Sequence, residues 1–296
     1  MKYRLTYLVI VVITLLGISS LEAQDRKIID VHMHSLQLDM LPAKMDTMIG
    51  YERPASAKAL RNQTIDQLQR FNITKAVTSG NAERLSELKK ASPNRIIRSQ
   101  WIPWDIKGDS LQAYLDSLST WYEQGRFQVI GEVLTQYSGI APSDSILDPL
   151  WSFAEREGIP VGIHINDLPI TCPDAFSNGC TPLPMKEVLA EHPDLKLYIM
   201  HGGYPHLQDM VDLMESYPQV YVGATFHLKK GEQYRYLKGL IDAGFGDRIM
   251  FGSDQMLWPE QIGDFVNLIQ NAGFLSEKQK QDIFYDNAAR FFEFGS

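Results

Sequence analysis

Eight apolar runs of strand length, each followed by a stretch of helical periodicity, constrain this chain more than any other feature. The runs are Ile28–His32, Lys75–Ser79, Arg95–Trp101, Gln128–Leu134, Pro160–Ile165, Lys196–His201, Gln219–Ala224 and Arg248–Ser253. Helical patterns follow them at Ser56–Phe71, Ala82–Ala91, Ser110–Gln124, Asp148–Glu157, Met185–Glu191, Leu207–Ser216, Glu232–Ala243 and Pro259–Ala272. Two more, Ser276–Tyr285 and Asn287–Phe292, close the chain. Asp148 before Pro149 marks a helix start, and Gly158 its stop. Repeated strand–helix units build a parallel sheet, and eight is the count at which that sheet closes into a (β/α)8 TIM barrel.

The ends of these runs carry the chemistry. Four of the seven histidines stand there: His32 and His34 in IIDVHMH, His164 in VGIHIN and His201 in LYIMHGG. Glu132 in VIGEV and Asp254 after MFGS are carboxylates in matching places. In a parallel barrel all strand C-termini open on one face, so these six residues can meet in one pocket. They form a candidate metallohydrolase site.

Side chains two apart on a strand share a face. By that parity Asp30, His32 and His34 point one way, while Ile29, Val31 and Met33 pack on helices. His164 likewise opposes Val161, Ile163 and Ile165. Glu132 is the sole charge in FQVIGEVL, and a carboxylate is seldom buried there unless paired or metal-bound. Its other reading is a salt bridge to an Arg or Lys. An isolated His-x-His is more often two hydrogen-bonded histidines than a chelate; the four further residues argue for the chelate.

DVHMH, GEV, GIHIN, MHGGYP and FGSD, in that order from about Ile28 to Phe292, together resemble the amidohydrolase superfamily, in particular its amidohydrolase-related branch (family 2). The resemblance implies a distorted barrel binding one or two divalent metals. It makes His32, His34, His164 and His201 ligands and Asp254 a ligand or proton carrier. Many binuclear members carry a carbamate-forming lysine on strand four; this chain offers Glu132 instead, so a carbamate bridge is not expected. A single ion, or a pair held by Glu132, stays open. Zn²⁺ is the first choice of metal, because an open imidazole–carboxylate site suits it and lowers the pKa of bound water to about 7. Mn²⁺ also suits mixed nitrogen and oxygen ligands.

Catalysis is assigned to Asp254, as base beside that water, and to His201, which if not a ligand would polarise a carbonyl. Gln136, Tyr137, Trp104, Tyr204 and His227 lie just past strand ends and suggest a substrate pocket with aromatic walls. Arg53, late in the unpatterned Met-rich segment 35–54, is a candidate for a substrate carboxylate. That segment reads equally as a lid or as a plug over the barrel mouth. The expected activity is hydrolysis of a lactone, ester or amide by metal-activated water. The alternative is metal-dependent non-oxidative decarboxylation of an unsaturated or aromatic acid, and a third reading is an inactive ligand-binding barrel.

The opening MKYRLTYLVIVVITLLGISSLEA reads as a secretory signal, with Lys2 and Arg4, an apolar Leu8–Leu16 core and a small-residue exit at Ala23. Cleavage there leaves 24–296 as one barrel domain, secreted or periplasmic and free of the membrane. The other reading is an uncleaved anchor, although Tyr7–Ile18 falls short of the ~20 residues a span requires. In an oxidising compartment Cys172 and Cys180 read as a local disulfide, against the alternative of two free thiols. A net charge of −8 argues against nucleic acid as partner. The expected partner is a small-molecule substrate, with a homo-oligomer possible.

Overall fold

The computed structural model describes residues 26–167, 172, 179–226 and 230–294; the expected signal, residues 1–23, and His227 lie outside them. Eight parallel strands follow one another around one sheet in chain order. They are β1 (Ile28–Ser35), β2 (Ile73–Gly80), β3 (Ile96–Ile102), β4 (Val129–Val133), β5 (Val161–His164), β6 (Leu197–Met200), β7 (Val220–Gly223) and β8 (Ile249–Met250). At the seam, Val31 N donates to Phe251 O (3.0 Å), Asp254 N to His32 O (2.7 Å) and His34 N to Gln255 O (2.8 Å).

The helices are α1 (Lys44–Ile49), α2 (Ala57–Arg70), α3 (Ala82–Ala91), α4 (Gly108–Asp116), α5 (Leu118–Glu123), α6 (Asp148–Glu157), α7 (Met185–Glu191), α8 (Leu207–Ser216), α9 (Lys230–Asp242), α10 (Glu260–Gln270), α11 (Glu277–Gln281) and α12 (Asn287–Phe292). The single helix expected over Ser110–Gln124 is two, α4 and α5, meeting at Ser117. There the Ser117 hydroxyl bonds back to Ala113 O at 2.9 Å, a contact that bends helices. The last strand is also shorter than expected. Phe251 N donates to Ile283 O (2.8 Å), so the ladder with β7 ends at Met250, while the residues that follow go on bonding to β1.

Strand side chains sort into two apolar layers. Ile28, Ile130, Val161, Ile163, Leu197 and Val222 pack with helix residues such as Leu150, Leu189 and Met210. Ile29, Val77, Ile97, Val129, Tyr198 and Met250 join Phe291 and Phe292 of α12. These residues come from strands all round the sheet, so they fill its bore. Tyr198 Oη spans that bore to donate to Val31 O at 3.1 Å. Gly162 makes room for it: a Cβ there would lie 2.4 Å from the Tyr198 ring. Burying each such large side chain stabilises the barrel by about 1.5–3 kcal/mol.

The Met-rich segment is packed down. Met40 and Met45 lie against Leu36, Leu60, Leu257 and Trp258, while Met48 of α1 is exposed. Asp46 accepts from Trp258 Nε1 at 2.9 Å, which ties this segment to the loop after β8.

Candidate metal centre

The strand ends deliver their donors through irregularities that alternation does not foresee. Asp30 pairs with Ala76 and Met33 with Thr78, so three steps on β1 match two on β2. The expected face is corrected for two residues: Ile29 and Val31 pack in the bore, and across the bulge only Met33 of the three packs against the helices. His32 and His34 still converge, with their Nε2 atoms 3.1 Å apart. A second bulge sets three steps from Ile130 to Val133 against two from Val161 to Ile163. Gly131 occupies it with φ +149°, and a Cβ there would lie 2.8 Å from Gly162 O. Glu132 follows and enters the site. His201 (φ +59°) and Asp254 (φ +48°) adopt left-handed backbone, a strain of order 1–3 kcal/mol each that functional sites tolerate.

All six side chains are buried. Glu132 Oε2 lies 3.4 Å from His32 Nε2 and 3.3 Å from His34 Nε2. Asp254 Oδ1 lies 3.3 and 3.0 Å from the same two nitrogens. The other oxygen of Glu132, Oε1, faces His164 Nδ1 at 2.5 Å and His201 Nε2 at 3.2 Å. The salt-bridge reading of Glu132 is thereby corrected, for its ionic partners are histidines. Two outer contacts aim the rings: Ser79 Oγ meets His34 Nδ1 at 3.1 Å, and His201 Nδ1 donates to Thr225 O at 2.8 Å. Both bonds leave Nε2 turned into the cluster.

This donor set fits a divalent cation. Imidazole nitrogens facing each other at 3.1 Å repel unless a proton or metal separates their lone pairs. Burial alone would depress the His34 pKa, but the Asp254 and Glu132 carboxylates override it and raise it to about 10. A proton on His34 thus supplies, without metal, the positive charge the carboxylates demand, and metal uptake displaces it. Burial opposes the charge on Glu132 too, yet His32, His164 and His201 hold its pKa well below the usual range. Burial and neighbouring His164 lower the pKa of His201. His32 Nδ1 and His164 Nε2 are buried with no partner among the described residues. Three overlapping triads, His32–His34–Glu132, His32–His201–Asp254 and Glu132–His164–His201, each have ligand atoms within 4.8 Å of one another.

The outer residues divide. Tyr137 stands beside the cluster, its ring 5.0 Å from that of His164, and Trp104 lies 6.1 Å beyond it. Trp101 continues the row at 5.9 Å. Burial first, then Glu132 and Asp254, push the Tyr137 pKa well up and keep its hydroxyl protonated. Gln136 instead clamps Asn166, donating to its carbonyl at 3.0 Å and accepting from its amide at 3.4 Å. Tyr204 packs against Tyr236, with ring centres 5.4 Å apart.

Arg53 is not brought to the cluster. Its guanidinium donates to Asp46, to Leu38 O and Leu41 O, and to Pro42 O at 3.0 Å, so it staples its own loop. Sequence reasoning also missed Ser79 and Thr225, because an isolated hydroxyl residue at a strand end carries no signal of which ring it will meet.

An amidohydrolase family model matches residues 29–294. Protein fluG of Emericella nidulans is 25% identical over 130 residues, which cover 38% of this chain and only 15% of that protein. An uncharacterised TIM-barrel protein from Bordetella bronchiseptica superposes with TM-score 0.69 at 19% identity, over 90% of this chain and 98% of that one. 4-Oxalomesaconate hydratase from Rhodopseudomonas palustris gives 0.62 at 16%, over 90% and 95%. A 5-carboxyvanillate decarboxylase from Novosphingobium aromaticivorans, complexed with manganese and a nitrobenzoic acid, gives 0.63 at 13%, over 91% and 97%. At these identities the structures speak to fold alone.

Proposed function

The chain belongs to the amidohydrolase family, and as a metal-dependent enzyme of that family we propose that it is an exported hydrolase of a small lactone, ester or amide. The observation that carries the reading is Asp254 Oδ1 lying 3.3 and 3.0 Å from the Nε2 atoms of His32 and His34. A carboxylate so placed touches both the ligand set and the space where a nucleophilic water must stand.

His32, His34, Glu132 and Asp254 would hold one ion, and Glu132, His164 and His201 a second. The two oxygens of Glu132 face these two groups separately, so Glu132 would help to hold both ions of a pair. The chemistry such ions supply is Lewis acidity and a lowered pKa for water, with Zn²⁺ the first choice and Mn²⁺ the second. Asp254 accepts the proton of the attacking water and passes it to the leaving group. His201 has its Nδ1–H committed to Thr225 O, so its neutral ring offers a lone pair and serves as ligand rather than as proton donor. Tyr137, protonated, and Trp104 form the wall against which substrate lies.

The aromatic row Tyr137–Trp104–Trp101 supports a second reading, a decarboxylase of a flat unsaturated acid, in which Asp254 protonates carbon. The deciding experiment gives metal-loaded protein a panel of lactones, esters, amides and aromatic acids. Hydrolysis without CO₂ release supports the first reading, and CO₂ release from an aromatic acid without hydrolysis replaces it with the second. Export is supported by the Cys172–Cys180 disulfide, a bond that persists in oxidising compartments. A mature N-terminus near Gln24, read by mass spectrometry from the native host, is the expected result; an intact Met1 overturns it.

A further inference from the structure

The proposed metal ligands leave one member of the IIDVHMH run without a task. Asp30 has no exposed surface and carries a carboxylate without a lysine or arginine beside it among the described residues. Its Oδ1 accepts from His32 N at 3.1 Å and from Ser253 N at 3.0 Å, and its Oδ2 accepts from Ser253 Oγ at 2.6 Å. Ser253 Oγ in turn accepts from Gln255 N at 3.2 Å. One carboxylate thus joins the backbone at a ligand of the first strand to the residues on both sides of Asp254.

We propose that Asp30 is a positioning residue, a clasp that sets the separation between His32 and His34 on one side and Asp254 on the other. The inference rests on the metal-centre reading above. The segment it holds lies beyond the last strand. β8 ends at Met250, and Phe251 N turns to Ile283 O. Past Met250 the seam bonds to β1 are Val31 N to Phe251 O, Asp254 N to His32 O and His34 N to Gln255 O. Asp254 is itself held with φ +48°, a conformation that persists only when its surroundings over-determine it. A carboxylate is the side chain for this post: its two oxygens take all three donors, whereas an amide would turn an N–H toward one of them.

The test compares Asp30→Asn and Ser253→Ala with the parent, using Val188→Ala as a control; Val188 is buried on α7, in the layer facing the helices. The metal-free full-length proteins are titrated with Co²⁺ in competition with a chelator, and the visible cobalt spectrum and Tm are recorded. Expected is 10–100-fold weaker Co²⁺ retention in both test variants, the usual effect of changing a group that orients ligands, with an altered spectrum at saturation. The control should lose Tm while keeping the parent's affinity and spectrum. Parent-like affinity and spectrum in Ser253→Ala overturn the clasp, even where Asp30→Asn fails to fold. A control that weakens cobalt as much as the test variants also overturns it. A parent that takes up no Co²⁺ overturns the metal reading and this inference together.

Discussion

Asp254 Oδ1 and His34 Nε2 meet at 3.0 Å, joining the loop after the last strand to the end of the first. Strands one and eight are far apart in sequence and adjacent in a closed barrel, so the contact exists because the sheet closes. It places a carboxylate where it can serve both as ligand and as base. Asp254→Asn keeps one oxygen and removes the base. The expected outcome is retained metal by elemental analysis with turnover lowered roughly 10²–10⁴-fold, the usual worth of general acid–base catalysis. Near-parent turnover with metal bound would move the proton carrier elsewhere.

His32 and His34 present their Nε2 atoms side by side, and no other pair of ligands shares a strand. The double variant His32→Ala, His34→Ala should lose stoichiometric metal while its circular dichroism stays that of a barrel. The fold is held by the two apolar layers, not by the rings. Retained metal in that variant would mean that the ligand set is misassigned.

Gly162 tests the packing of the bore. A methyl there would lie 2.4 Å from the Tyr198 ring and 2.5 Å from the Met200 terminal methyl. Both neighbours are buried. Gly162→Ala should cost about 1–3 kcal/mol through overpacking, read as a lowered denaturant midpoint. An unchanged midpoint would show that the bore is looser than described.

Asp46 gives a pH dependence away from the metal centre. The hydrogen bonds from Arg53, followed by that from Trp258, lower its pKa below the ordinary 3.8. A depressed folded-state value contributes stability above the unfolded pKa, and that contribution is lost as pH falls through the folded one. Asp46→Asn should therefore be less stable than the parent at neutral pH. The difference should shrink below about pH 3.8 as the parent carboxylate protonates. A gap that stays constant on acidification would remove the Asp46–Arg53 staple as its cause.

Cys172 and Cys180 are bridged, with Cα atoms 6.1 Å apart and a separation of 8 in sequence. Thiol titration of the denatured, unreduced protein should find no free thiol. Because the closed loop is short, replacing both by Ser should cost less than about 3 kcal/mol. Two titratable thiols would show that the bridge does not form in the protein as isolated.

Periodicity along the chain determined the strand–helix alternation, and hence the barrel, because apolar repeats report which face of an element is buried. The same local signal located His32, His34, Glu132, His164, His201 and Asp254, since a polar donor ending an apolar strand has little other use. What lies across from a residue is not local. The bulges at Asp30–Met33 and Ile130–Val133 depend on how a strand registers with its neighbour, so strict alternation put Ile29 and Val31 on the same face as Met33 when they fill the bore. Arg53 carried a charge that suited substrate, but the tertiary fold turned it onto Asp46 and its own loop. Gln136 became a clamp on Asn166 for the same reason. The facing of Glu132 toward two sets of histidines, and the hold of Asp30 on Ser253, were decided by the closing of the sheet. Such contacts join residues whose separation in sequence says nothing of their distance in space.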